Sequence, residues 1–313
     1  MGPWTRLACA VGAVLLVNCG SSSAGAEELL VELERLAFVG AGRTVLASHA
    51  CSLDEPLLVD RFEVTRGHWR AVGGQWPEPG RLTLASAGSD ESTRDWPAFA
   101  TFDEALRWAE RRGMRLPTFD EWLFLAAGPS AGFYPWGRQD RASAANSREL
   151  GLNRPLPVGC FEQGVSWSGL YDLFGNVGEW VTGLPPKGAA PGTDLQPAEV
   201  AYSMGGSFLE RTAPLHARGG GGELASELVR FAMRPLPRGT RGVELGLRCC
   251  VSAEEFLERH FASGGFRPSA AARFRAIGLA WGSEARALLE SLRERHPDSI
   301  AFASLLAGAS ERR

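Results

Sequence analysis

Phe102, Ala105, Leu106 and Ala109 recur at spacings of three and four, which predicts an amphipathic helix with one buried face. Thr101 stands at its N-cap position, Glu104 completes a capping box, and Gly113 stops the helix. The same four letters, Thr-Phe-Asp-Glu, recur from Thr118 and open a second helix that buries Trp122, Leu125 and Ala126. The residues beyond do not match, so the recurrence is repeated cap chemistry and not a sequence repeat. Upstream, residues 29–39 open with a short amphipathic segment, and residues 57–64 are apolar or alternating and read as a strand. From residue 128 to about 248 helical periodicity disappears and Gly, Pro and aromatic residues dominate, the pattern of long ordered loops that function, metal or disulfides hold in place. Periodicity returns after Val251. Ser252 and Glu255 form a third capping box ahead of Phe256, Leu257 and Phe261, and a helix from Ser283 aligns Ala285, Leu288, Leu289 and Leu292 before His296-Pro297 ends it. This tail reads as helices that pack back onto the main domain, or as a pair that binds a partner.

The chain has 313 residues, enough for one large domain with an appendage or for two domains. Its net charge of −3 gives no reason to expect a nucleic acid partner. The 38 Gly and 10 Trp against 3 Tyr point to irregular segments pinned by large aromatic residues. Arg6 precedes an apolar run, residues 7–17, that is too short to span a bilayer and reads as a signal-peptide core. Ala24-Gly25-Ala26 offers a cleavage site, making residues 1–26 the signal. Alternatively Leu16-Val17-Asn18-Cys19 resembles a lipobox, with residues 1–18 removed and Cys19 lipidated. Either route implies export, to the periplasm or outer membrane as a lipoprotein or as a secreted protein, with membrane contact only through Cys19. Export leaves Cys51, Cys160, Cys249 and Cys250 in an oxidising compartment, where three pairings are open.

Candidate chemistry concentrates at residues 169–180, where Asp172 and Glu179 flank a Gly-Asn turn. Two carboxylates pinched by a turn, with backbone carbonyls between, suit a hard cation such as Ca²⁺. Gly219-Gly220-Gly221-Gly222 lacks the Lys-Ser/Thr pair of a phosphate loop and reads as a surface loop.

The motifs occur in an order that resembles the formylglycine-generating enzyme, or sulfatase-modifying factor, family. Leu58-Val59-Asp60-Arg61-Phe62-Glu63-Val64-Thr65 resembles its opening strand, and Arg115-Leu116-Pro117-Thr118 with Glu121-Trp122 its RLPT-x-x-EW element. Tyr134-Pro135-Trp136-Gly137, Pro157-Val158-Gly159, Gly169-Leu170-Tyr171-Asp172, Gly205-Gly206-Ser207-Phe208 and Leu245-Gly246-Leu247-Arg248-Cys249 follow in family order. The resemblance implies an α+β fold, a loop-rich variant of the C-type-lectin-like fold. It has a twisted, partly antiparallel sheet, two helices and, here, a C-terminal helical appendage. The corresponding division is a linker or short helix at 27–35, the family domain at 36–251 and a helical region at 252–313. It further implies a structural Ca²⁺ on the side chains of Asp172 and Glu179 and the carbonyls of Gly175 and Val177. Asn146 matches one ligand of a second calcium site, although the short stretch 147–156 lacks the acidic ligand expected there.

Oxidase members of the family use two cysteines shortly after the Gly-Gly-Ser motif, because Cu(I) selects soft thiolates. The matching positions here are Glu210 and Leu215, and neither can supply a thiolate. A second branch resembles iron-dependent sulfoxide synthases, which need clustered histidines, whereas His49, His68, His216, His260 and His296 are dispersed. His68 reads as a surface or boundary residue. These departures argue against copper or iron and predict an exported, non-catalytic or altered member that binds a peptide, protein or glycan. The groove would be lined by Ser207, Phe208, Glu210, Arg230 and Arg234, with His216 nearby. Two alternatives stand beside it: an oxidoreductase with a metal on Glu210 and His216, and a platform for the helical tail.

Overall fold

The computed structural model describes residues 23–46, 49–75, 91–139, 141–186, 196–211, 231–263 and 266–310. At its centre lies an antiparallel sheet of β1 (Leu36–Val39), β4 (Leu57–Asp60) and β9 (Cys250–Ser252), in the order β1-β4-β9. Successive side chains of a strand point to opposite faces. Leu36, Phe38, Leu58 and Val251 accordingly enter one hydrophobic cluster, while Ala37, Val39, Leu57, Val59 and Cys250 enter another. A strand buried on both faces must be apolar throughout, which is why residues 57–60 show a run and little alternation. The strand is shorter than the predicted 57–64 and ends at Asp60, whose carboxylate accepts two bonds from Arg112.

On the first face lie α1 (Ser23–Glu34), α2 (Arg66–Ala71) and α3 (Phe102–Arg111). The capping box at Thr101 and Glu104 forms in both directions, and Gly113 takes the positive φ of 73° that ends the helix region. On the second face, a hairpin of β2 (Gly42–Leu46) and β3 (His49–Leu53) packs with α4 (Phe119–Ala127). Thr118 and Glu121 cap α4 by the same reciprocal pair. A second sheet, ordered β7-β6-β5-β8, joins β5 (Gly178–Val181), β6 (Val200–Met204), β7 (Arg234–Pro237) and β8 (Leu245–Gly246). It is antiparallel except for β5 with β8.

Four helices follow: α5 (Ala253–Phe261), α6 (Ala271–Trp281), α7 (Arg286–Arg295) and α8 (Ile300–Ala309). Phe256, Phe274, Leu289 and Leu305 share one cluster with Leu36, Phe38 and Trp108, so the tail packs back onto the main domain. Among the described residues, no helix is long and apolar enough to cross a membrane.

One local expectation is corrected and two are narrowed. Ser252 caps α5, but Glu255 does not return the bond; its carboxylate pairs with Arg259 one turn on, and no box forms. Of the two readings of residues 27–35, the short helix is the one that forms, since α1 begins at Ser23 and buries Leu29, Leu30 and Leu33. His68 takes the boundary position and not the surface one: its side chain is 10% exposed, its Nε2 sits 3.4 Å from Glu32 and its ring meets the edge of Trp108. Burial and the neighbouring Arg112 push its pKa down. The apolar run at 7–17 and Cys19 fall in residues 1–22, outside the described residues, whereas Ala24-Gly25-Ala26 lies at the start of α1.

Candidate functional site

The turn at residues 172–179 is made by three departures to positive φ: Asp172 at 57°, Gly175 at 81° and Asn176 at 53°. At Gly175 a Cβ would lie 2.5 Å from the Asn146 carbonyl oxygen, so only glycine fits. Asn176 then becomes a hub. Its amide donates to Glu63 Oε2 (2.6 Å) and the Leu156 carbonyl, while its Oδ1 accepts from Asn146 Nδ2 (3.0 Å) and the Leu156 amide. Glu63 Oε1 also accepts from the Val177 amide at 2.9 Å. The opening strand segment, the turn and the 146–156 loop are thereby tied together by one buried amide.

Glu179, on β5, is 1% exposed in its side chain and faces Arg248, which is 0% exposed. Arg248 Nη2 donates to Glu179 Oε1 at 2.7 Å and to the Tyr171 carbonyl at 2.6 Å. Its Nε bridges both Glu179 oxygens, and Nη1 donates to the Asp60 carbonyl at 2.7 Å. Trp122 Nε1 donates to Glu179 Oε2 at 2.7 Å, which engages the remaining lone pair. Asp172 accepts from the Gly159 amide at 2.6 Å. Glu63, Asp172 and Glu179 thus share a single guanidinium. Burial first, and then the charges of Asp172 and Glu179, drive the Glu63 pKa well above the carboxylate range. Burial likewise pushes Asp172 up to about 6, against the pull of the Gly159 amide and Arg248.

These contacts give a test of fit for calcium. Ionised together, three buried carboxyl groups against one guanidinium would carry an excess of negative charge that a cation could offset, and the donors are all oxygen, as a hard cation requires. Glu179, however, is saturated by Arg248 and Trp122, so it offers charge and not a lone pair. Asp172, with the carbonyls of Gly175 and Val177, remains as the ligand-bearing part. At the second expected site Asn146 Oδ1 and Ser147 Oγ are buried without hydrogen-bond partners. Glu63, Asn176 and Arg248 were not named as site residues from the sequence. A Glu three residues after the strand's Asp, in a segment leading inward, was the available signal for Glu63.

The expected ligand groove is corrected in part. Ser207 and Phe208 are 1% and 2% exposed, hence interior residues that cannot line a surface. Glu210, expected from motif order at one oxidase-cysteine position, accepts from the Ser207 amide (2.8 Å), Ser207 Oγ (2.5 Å) and Arg234 Nη1 (3.0 Å). Among the described residues of the groove, Ser207, Glu210 and Arg234 are therefore bonded to one another. Leu215, His216 and Arg230 lie outside the described residues, as does the glycine run at 219–222. A cavity of about 510 Å³ opens elsewhere, between β1 and the start of the tail's second half, lined by Phe38, Arg61, Trp167, Tyr171, Trp281 and Glu284. The Arg61 Nε there is buried and has no hydrogen-bond partner.

The cysteines are also corrected: Cys51, Cys160, Cys249 and Cys250 are all free thiols. Cys249 and Cys250 are adjacent in an extended segment and enter opposite clusters, so they face away from each other, and Cys160 sits exposed in a turn. Burial pushes Cys51 up to about 12 and raises Cys249 and Cys250 strongly, and burial raises Cys160 as well. None has the lowered pKa of a reactive thiolate.

Comparison with known proteins agrees with this geometry. The family described as Sulfatase-modifying factor enzyme 1-like domain matches residues 6–253. Hercynine oxygenase of Mycolicibacterium thermoresistibile is 30% identical over 211 residues, covering 56% of this chain and 46% of that protein. Inactive C-alpha-formylglycine-generating enzyme 2 of Mus musculus is 30% identical over 166 residues, covering 49% of this chain and 48% of that protein. The chain spans about half the length of these curated relatives. Among solved structures, Treponema denticola variable protein 1 superposes with a TM-score of 0.50 at 16% identity, covering 69% of this chain and 94% of that one, a likeness of fold. With the match across residues 6–253 and the α+β architecture seen here, the chain belongs to the sulfatase-modifying-factor family, whose members include the formylglycine-generating enzymes.

Proposed function

We propose that this protein is a non-catalytic member of its family that binds a peptide, protein or glycan. The observation that carries the reading is Glu210. Where an oxidase presents a thiol, this chain presents a carboxylate folded down onto Ser207 and Arg234. A carboxylate so engaged neither attracts Cu(I) nor forms a bond to a substrate cysteine. Relatives named as inactive support the same reading. The cavity beside Arg61 supplies what binding needs: the partly exposed rings of Trp167 and Tyr171 beside a cationic side chain. The reading places the protein outside the cytoplasm, on the strength of its N-terminal signal alone.

Purified protein mixed with Cu(I) and a cysteine-containing peptide will consume no oxygen above a copper-only blank. Titration with peptide and glycan pools will instead change the fluorescence of Trp167 and Trp281 saturably, and Arg61→Gln will abolish that change. Copper-dependent oxygen uptake would sink the non-catalytic reading.

Calcium belongs to the scaffold in this reading, held by Asp172 and the carbonyls of Gly175 and Val177, with Glu179 contributing charge. It would neutralise the carboxylate excess and take no part in chemistry. Chelation will lower the thermal midpoint, and added Ca²⁺ will restore it. A midpoint unmoved by chelator, in protein shown by elemental analysis to have held calcium nowhere, removes the ion from the account.

A further inference from the structure

The face of the β2–β3 hairpin that packs on α4 carries chemistry that the family site does not use. In the hairpin Thr44 pairs with Cys51 and Leu46 with His49. Directly opposed residues share a face, and so do residues two apart, so Thr44, His49 and Cys51 all point the same way. Asp120 joins them from the first turn of α4, where the cap formed by Thr118 and Glu121 fixes the start of the helix. One ligand atom each from His49, Cys51 and Asp120 lie within 4.8 Å of one another. His49 Nε2 is 2.6 Å from Asp120 Oδ1. Cys51 is fully buried, the His49 side chain is 19% exposed and that of Asp120 48%, so the group has a closed floor and an open mouth.

A second observation points to a missing occupant. Thr44 is 3% exposed, and its Oγ1 has no hydrogen-bond partner. A buried hydroxyl left unpaired is costly, so such groups ordinarily find protein or water. We propose that His49, Cys51 and Asp120 bind Zn²⁺, with a water in the fourth position hydrogen-bonded to Thr44. A sulfur, an imidazole and a carboxylate together suit zinc, whereas calcium and magnesium require oxygen donors throughout. Three protein ligands around zinc leave one position open. On binding, Cys51 ligates as the thiolate and its proton passes to solvent. The site is independent of the calcium set and of the Arg61 cavity.

Cobalt(II) is the probe, because its thiolate complex absorbs where the apoprotein does not. Full-length protein stripped with chelator will take up one equivalent of Co²⁺ with a thiolate-to-cobalt charge-transfer band, and Zn²⁺ will bleach it. Cys51→Ser will lose the band, Cys160→Ser will keep it, and His49→Gln or Asp120→Asn will weaken cobalt binding at least ~10-fold. No band in the wild-type protein, or a band that survives Cys51→Ser, overturns the site. Should Cys51→Ser fail to fold, His49→Gln decides alone: unchanged cobalt affinity in that variant also overturns it.

Discussion

Replacing Arg248 with methionine will cost the fold roughly 3–5 kcal/mol in urea unfolding, although the new side chain fills much of the same space. Arg248 is the cation that Glu63, Asp172 and Glu179 share, and it lies entirely out of solvent. Its loss leaves Glu179 with Trp122 alone and deprives the Asp60 and Tyr171 carbonyls of their donors. Breaking a buried pair from one side is far more destabilising than exchanging both partners, because a desolvated charge stays behind. The double variant Arg248→Met with Glu179→Gln will therefore be more stable than Arg248→Met. If the single variant stays within about 1 kcal/mol of wild type, the carboxylates have another source of compensation and this account of the cluster fails. If it does not accumulate at all, the double variant still reads the ranking.

Arg112→Lys will be nearly as damaging, about 3 kcal/mol, despite keeping the charge. The Arg112 guanidinium spans both oxygens of Asp60 at 2.6 Å each, reaches Glu32 at 2.5 Å, and lies over the Trp108 ring. A lysine ammonium is a point donor and cannot make the two parallel bonds to Asp60 while holding Glu32. The same network predicts loss of stability in acid. Burial alone would raise the Glu32 pKa, but Arg112 and His68 override it and hold the carboxyl well below its ordinary value. His68 is itself lowered, by burial and by Arg112. A group whose pKa is depressed by folding stabilises above its unfolded pKa and loses that contribution as pH falls through the folded value. For His68 the decline begins below its ordinary 6.5, and for Glu32 below its ordinary 4.5. Glu63 and Asp172, whose pKa values folding raises, contribute the opposite slope, so the measure is the difference between two proteins: as pH falls from 8 to 4, the urea midpoint of wild type will lose part of its advantage over Arg112→Lys. An advantage constant over that range would contradict it.

Capping boxes and strand patterns were legible because they are local. Thr101 with Glu104, and Thr118 with Glu121, each satisfy helix-end amides within four residues, so the letters alone locate both helix starts. The box at Ser252 failed for a physical reason the letters do not contain: Glu55, 197 positions away, takes the Ser252 hydroxyl, and Arg259 takes Glu255. Whether His68 sat at the surface or at the boundary was not legible, because its partners, Glu32 and Trp108, come from α1 and α3.

The candidate site divides the same way. Motif order was enough to locate the turn at residues 172–179 and to show the absence of thiols at Glu210 and Leu215, since both depend only on residue identity and spacing. That Glu179 is spent on Arg248, that Asn176 ties three segments through Glu63 and Asn146, and that Ser207 and Phe208 are interior required the folded chain. The fold also separates Cys249 from Cys250, which enter different clusters, and leaves Cys160 at the surface away from the buried thiols. Sequence by itself determined the family, the helix starts and the loss of the oxidase thiols, all carried by residues close together in the chain. Tertiary structure alone decided which charges compensate one another and which donors converge, because those partners lie tens to hundreds of positions apart and meet only when both faces of the central sheet are covered.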